Sequence, residues 1–317
     1  MTTPQADRIL LFGATGLIGK YITAAIVGAQ PPFPRVGIFT SKHTVEAKKD
    51  EIAELKAKGV EVFVGDVGDV GVVKGALEGF TTVISALGRN ALTQQSTLLR
   101  AAADSPNITR FFPSEYGTDV AYDASSAGEK THQAKLAVRR AIEDEGAVRE
   151  GRLQYTYLVT GPYPELFFAA PAGGEGRVGG FDRVGRRAWV VGDGAGGVAF
   201  TTMPDVGKFL VAALRNPDAA RNRALRVHSF TSTPNDVVKE FERQTGEKWE
   251  VEFVPLAELE RFEQEAWEKG DPLAALATLR RIWASGKTLY EGGWDDGALG
   301  VEVEGLEGTV RRVLRGE

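Results

Sequence analysis

The chain has 317 residues, 43% of them hydrophobic and 26% charged, with a net charge of −5 at neutral pH. That length holds one large or two modest domains with a sizeable core, and the acidic balance leaves no broad cationic footprint for nucleic acid. There is no cysteine, and the three histidines, His43, His132 and His228, stand far apart, so disulfides, thiol nucleophiles and clustered metal ligands drop out and no metal is expected.

The leading MTTPQAD carries no apolar signal region, and no stretch reaches the roughly 18 apolar residues of a bilayer span. A cytoplasmic protein without a membrane partner is expected. The first strand, over 8–12, runs into Gly13-Ala14-Thr15-Gly16-Leu17-Ile18-Gly19. A helix over 17–28 follows, with Leu17, Ile18, Ile22, Ala25 and Ile26 on its apolar face. Gly13 permits the tight turn off the strand, Gly16 lets backbone approach a pyrophosphate, and Gly19 lets the helix pack on the sheet. The helix N-terminus offers N–H groups to phosphates. An ordinary strand-to-helix turn can carry such glycines. Their place in a βα unit favours a dinucleotide, although the spacing departs from G-x-G-x-x-G.

Further strands are expected over 35–40, 60–64, 81–86, 108–112 and 154–159, with helices over 45–58, 70–77, 92–103 and 128–145 between them. This alternation specifies βαβ units and a Rossmann-like, doubly wound parallel sheet of the α/β class. Beyond Thr160 the pattern changes. The glycine-rich stretch 173–197 leads to an expected hairpin of 188–191 with 198–201, then a helix over 204–214 and a strand over 224–228. Late helices are expected over 234–244, 255–268 and 272–284, and the glycine-rich remainder, 286–317, ends in a short basic helix. The division expected is a dinucleotide-binding domain over 1–159, to which 200–230 returns, and a smaller mixed α/β substrate region over 160–199 and 231–317.

At the end of the second strand a carboxylate favours NAD and a cation suits the 2′-phosphate of NADP. Here it ends Thr40-Ser41-Lys42, two hydroxyls and a lysine, which favours NADP(H) unless Lys42 is a solvated loop residue. Asp66, after the third strand, is expected by the adenine, and Ala86, Leu87 and Gly88, after the fourth, by the nicotinamide ribose.

The run Phe111-Phe112-Pro113-Ser114-Glu115-Tyr116-Gly117, with Glu129-Lys130-Thr131-His132-Gln133-Ala134-Lys135-Leu136-Ala137-Val138-Arg139-Arg140-Ala141-Ile142-Glu143, resembles the isoflavone reductase and phenylcoumaran benzylic ether reductase family. That family belongs to the NmrA-like, atypical short-chain dehydrogenases. The likeness spans about residues 8–230, and the last 80 or so match loosely. It implies NADPH contacts at Gly13, Thr15, Gly16, Leu17 and Ile18, and a catalytic lysine at Lys135, which precedes x-x-x-Arg-Arg. Many relatives carry an arginine where this chain has Thr40, with Lys42 just beyond.

A short-chain dehydrogenase pairs tyrosine and lysine four apart, and Thr131 stands in the tyrosine's place, so Lys135 must handle the proton or orient water. It borders a stripe of Ala134, Val138, Ala141 and Ile142, where desolvation lowers an amine's pKa. A snorkelling lysine with a wet head is the plainer alternative. His132 reads as a surface histidine or as a proton shuttle, and Glu115 as structural. Pro113, Ser114, Gly161 and Pro162 are expected against the nicotinamide. Tyr116, Tyr163, Phe167 and Phe168 are expected to wall the substrate, although aromatics after a strand serve equally as core. Trp267, Trp283 and Trp294 are offered to the pocket without support from spacing.

The resemblance implies an NADPH-dependent reductase of an aromatic or polycyclic secondary metabolite, acting as a monomer or homodimer. A redox-coupled natural-product cyclase and an NmrA-like redox sensor without turnover are the alternatives.

Overall fold

Apolar runs that alternate with helices require crossover connections, and crossovers give parallel pairing. The computed structural model describes residues 7–290 and 293–316, and the leading MTTPQA stretch lies outside the described residues. Its strands are β1 (Arg8–Phe12), β2 (Arg35–Thr40), β3 (Glu61–Val64), β4 (Thr82–Ser85), β5 (Arg110–Phe112), β6 (Gln154–Val159), β7 (Gly180–Asp182), β8 (Arg187–Val191), β9 (Val198–Phe200), β10 (Arg223–Arg226), β11 (Phe230–Ser232) and β12 (Glu250–Val254). Seven of them form one sheet in the order β10-β6-β5-β4-β1-β2-β3, and every pair in it is parallel. This is the expected doubly wound α/β sheet. Strand order reverses between β1 and β4, so a crevice opens where both strands end.

Alternation along β1 shows how both faces are covered. Ile9 and Leu11 point into one core layer with Ile22, Ile26, Val206 and Phe209. Leu10 and Phe12 point into the opposite layer with Val73, Leu98, Ala101 and Ile142. A strand buried on both faces reads as a continuous apolar run, which is what RILLF shows.

Three expectations are corrected. The helix over 45–58 is two helices, Lys42–Ala47 and Lys49–Ala57, parted at Lys48, whose φ of −124° and ψ of 41° leave helical space. The helix over 128–145 begins only at Gln133, after two 3-10 turns over Ala124–Gly128 and Lys130–His132. The hairpin of β8 with β9 does not form. β8 pairs with β7 and β12, whereas β9 pairs with β11. Gly192 and Gly194 have φ of 76° and 71°, and Asn235 binds the turn through the carbonyls of Gly194 (3.1 Å) and Asp193 (3.0 Å). The turn is therefore tied to the Pro234–Thr245 helix, and β9 is directed away from β8.

Among the described residues no helix is long and apolar enough to cross a membrane.

Candidate functional site

Glycine shapes the first turn. Gly13 has φ of 79°, and a Cβ there would meet the Ala86 carbonyl oxygen at 2.5 Å. A Cβ on Gly19 would overlap the Gly13 carbonyl, so the turn is built from backbone packed on backbone. The amides of Thr15, Leu17 and Ile18 donate no backbone hydrogen bond among the described residues, and the Gly19–Val27 helix starts just behind them. Gly13, Thr15 and Gly16 line a cleft of about 970 Å³ with Thr40, Ser41, Lys42, Asp66 and Leu87. Leu17 is exposed and Ile18 packs against the core under the turn. Ala86 is buried and donates to the Phe12 carbonyl at 2.7 Å, and Gly88 begins the Arg89–Gln94 turn.

The cleft's cationic end was only half visible in sequence. Ser41 caps the Lys42–Ala47 helix, accepting from Thr44 N at 3.1 Å. Asp66 accepts from Gly68 N at 2.8 Å. Lys48 also lines the cleft, and its Nζ donates to the Thr15 carbonyl. Sequence reasoning missed it, because that contact spans 33 residues and appears only once the second helix breaks. A dinucleotide with a 2′-phosphate suits this lining: close backbone at the turn, then Lys42, His43 and Lys48 at the far wall.

Lys135 stands on the buried face of the Gln133–Asp144 helix, whose buried residues are Val138, Arg139 and Ile142. Ala134 and Ala141, assigned to the apolar stripe from sequence, are exposed. The spacing i, i+3, i+4, i+7 from Lys135 defines the real stripe. Lys135 Nζ donates to the Glu115 carbonyl. Glu115 is itself locked by Arg139, at 3.1 and 2.8 Å, and Arg139 also holds Asp119 at 3.0 Å. Arg226 pairs with the other oxygen of Asp119 at 3.0 Å. Burial lowers the Lys135 amine's pKa below its ordinary 10.5; Arg139 and Arg89 act in the same direction, against Glu115 and Asp119.

Lys135 opens on a cavity of about 290 Å³ lined by Tyr116, Gly161, Pro162, Tyr163, Phe167 and Trp283. A Cβ on Gly161 would meet the Ala199 carbonyl at 2.7 Å, which fixes that loop against the wall. Tyr163 donates to the Tyr116 carbonyl. Phe168 does not line this cavity. It is fully buried against Phe181, Phe200 and Phe241, because successive residues of the short Pro164–Phe167 turn point in different directions. Pro113 and Ser114 are buried, and Ser114 bridges Leu87 O (2.8 Å) and Gln95 Oε1 (2.7 Å), holding the β4 and β5 exits together. Of the tryptophans only Trp283 reaches the cavity. Trp267 binds Thr278 at 2.9 Å and Trp294 stacks on His228.

His132 is no surface histidine. It is 2% exposed and lines the cavity from the 3-10 turn before the helix. The Ser126 hydroxyl donates to the Val120 carbonyl, so at 3.1 Å from His132 Nδ1 its oxygen accepts. That assigns the proton to Nδ1 and leaves Nε2, buried without a partner, as a bare acceptor. Burial lowers the His132 pKa, and nearby Lys135 adds to the effect.

The sequence model of the NmrA-like family matches residues 5–269. A phenylcoumaran benzylic ether reductase of Populus trichocarpa is 31% identical over 272 residues, 83% of this chain and 83% of its own. An isoflavone reductase crystal structure superposes with a TM-score of 0.81 at 26% identity, over 97% of this chain and 99% of its own. The binary complex of leucoanthocyanidin reductase with NADPH, from Vitis vinifera, has the same fold, with a TM-score of 0.79 at 20% identity over 97% and 99% of the two chains. The chain belongs to the NmrA-like family and is similar to that family's isoflavone and phenylcoumaran benzylic ether reductases.

Proposed function

We propose that this protein is an NADPH-dependent reductase of a small aromatic substrate, with Lys135 as the residue that supplies the proton. One observation carries the reading: an amine with a lowered pKa opens on an aromatic-walled cavity that borders the exit loops of the parallel sheet. The names of its relatives, and the NADPH in the leucoanthocyanidin reductase complex, support the same chemistry.

The glycine turn, Lys42 and Lys48 are the residues that would hold NADPH, and Gly161 and Pro162 would close over its ring. When bound, the nicotinamide supplies a hydride to an electrophilic carbon of a conjugated or benzylic system. The Lys135 ammonium gives the balancing proton to the atom that gains electron density and recovers one from water. The Glu115 carbonyl keeps Nζ in place, and Arg139 keeps Glu115 in place. His132 Nε2 accepts from a substrate hydroxyl. Phe167, Trp283 and Tyr163 exclude water and offer flat surfaces.

The test is loss of nicotinamide absorbance with a panel of conjugated and benzylic aromatics. Turnover that Lys135→Met abolishes supports the assignment. Tight binding of NADPH with no turnover of any aromatic would instead make the protein a redox sensor.

A further inference from the structure

The aromatic cavity contains a charge that reduction does not require. Arg280, on the Ala274–Ala284 helix, is 6% exposed and borders both this cavity and a smaller one beside it. Its neighbour Arg281 pairs with Glu129 at 2.7 Å and Glu263 at 2.5 Å. Arg280 forms no ion pair among the described residues. Of its several N–H groups, Nη2 donates to the Phe167 carbonyl at 3.2 Å, and Nε is buried without a partner.

The surroundings point the same way. The guanidinium stacks at 4.0 Å from the Phe167 ring centre and 5.6 Å from that of Trp283, so its faces are covered while N–H groups along its edge remain for a ligand. The cavity's other charged lining residues are Arg89 and Lys135, and it has no aspartate or glutamate among the described residues. Asp193, across the second cavity, is exposed and accepts from Ala195 N at 2.9 Å, within its own turn. Burial alone pushes Arg280 down to about 9, which still leaves a cation at neutral pH. A buried cation without a counter-charge is unfavourable to the fold, and a planar guanidinium edge matches a carboxylate with two parallel hydrogen bonds.

We propose that Arg280 anchors a carboxylate of the substrate, so that the cavity takes an aromatic carboxylic acid in preference to a neutral aromatic. This deepens the reductase reading and rests on it for the identity of the cavity as the substrate site. The acid group sits at the Arg280 end, and the ring lies against Phe167 and Trp283.

The probes are cinnamate, its amide and its methyl ester, titrated calorimetrically into the full chain with and without saturating NADP+. Cinnamate is expected to bind at least about tenfold more tightly than either neutral analogue, as for a charge-assisted hydrogen bond. Arg280→Met is expected to abolish that preference while keeping NADP+ affinity and an equal or higher melting temperature, because an unpaired buried charge has been removed. Equal binding of the three probes by the unaltered protein overturns the proposal, and so does an R280M chain that fails to fold. NADP+ titrated alone reports separately on the reductase reading: if it gives no heat, that reading falls, whatever the carboxylate preference.

Discussion

Lys135 and His132 are two residues three apart whose environments drive both toward neutrality, yet their expected signatures differ. If the Lys135 ammonium supplies the proton, the rate is present at low pH and falls as pH rises through its pKa, which burial places below 10.5. Lys135→Met should lower kcat about 10²- to 10⁴-fold, the usual contribution of a positioned acid, with NADPH binding unchanged. An unaltered rate would remove the amine from the chemistry. For His132 the linkage runs through stability. Its folded pKa lies below the 6.5 of the unfolded chain, so the folded state loses stability as pH falls from 6.5 toward the lower value. Melting temperatures measured between pH 8 and pH 5, values chosen to span about 6.5, should therefore drop further for the unaltered protein than for His132→Phe. Parallel curves would place the histidine in water. The lysine was legible in sequence because a motif surrounds it. The histidine's burial was not, since it depends on Tyr122 and on Ser126, the latter in a 3-10 turn that helical periodicity does not register.

At the scale of elements, what holds the dinucleotide half together is close backbone packing, and two glycines separate that effect from helix propensity. Gly207 lies in the Met203–Arg215 helix, which crosses the Gly19–Val27 helix, and a Cβ there would meet Tyr21 O at 2.6 Å and the Ala25 Cβ at 2.7 Å. Gly75, in the Val70–Ala76 helix, has open space around it. Alanine improves helix propensity at both positions by about 1 kcal/mol. Gly75→Ala should stabilise by about 0.5–1 kcal/mol. Gly207→Ala should destabilise by about 1–3 kcal/mol, because the helices must separate. Denaturant unfolding of both variants checks the pair, and the same sign for both would show that helix crossing does not set the outcome. The parallel sheet was readable in sequence for a related reason. Most of its strands are local apolar runs, β10 (RALR) being the exception, and the crossover rule supplies the pairing without knowledge of distant contacts. The small sheets were not readable. EVEFV at β12 is a plausible strand anywhere, and its pairing with β8 joins segments far apart in sequence that no local pattern links.

Across the whole molecule, the C-terminal stretch touches both the layer under the parallel sheet and the aromatic cluster beyond it. Leu299, Val301 and Val303 pack into the layer under the parallel sheet, while Val310 and Val313 enter the aromatic cluster of Phe168, Phe181 and Phe241. Asp295 accepts from Arg226 N at 2.9 Å, and Asp205 accepts from Glu304 N at 2.9 Å. Arg312 closes the path by pairing with Glu165 at 2.7 Å. All five tryptophans, Trp189, Trp249, Trp267, Trp283 and Trp294, stand after residue 160, and although Trp283 binds Thr118 and Trp294 stacks on His228, their fluorescence is weighted toward the second half. The glycine turn lies in the first half. If the halves unfold together, NADP+ at about one hundred times its Kd stabilises both by about 2.7 kcal/mol. The tryptophan melt should then rise with the far-ultraviolet circular dichroism melt by about the same 4 °C. A tryptophan transition that stays in place while the dichroism curve splits would mean that the dinucleotide half melts alone. The C-terminal crossing would then be a contact between independent domains, and a substrate pocket built from both would have to assemble on binding rather than stand preformed.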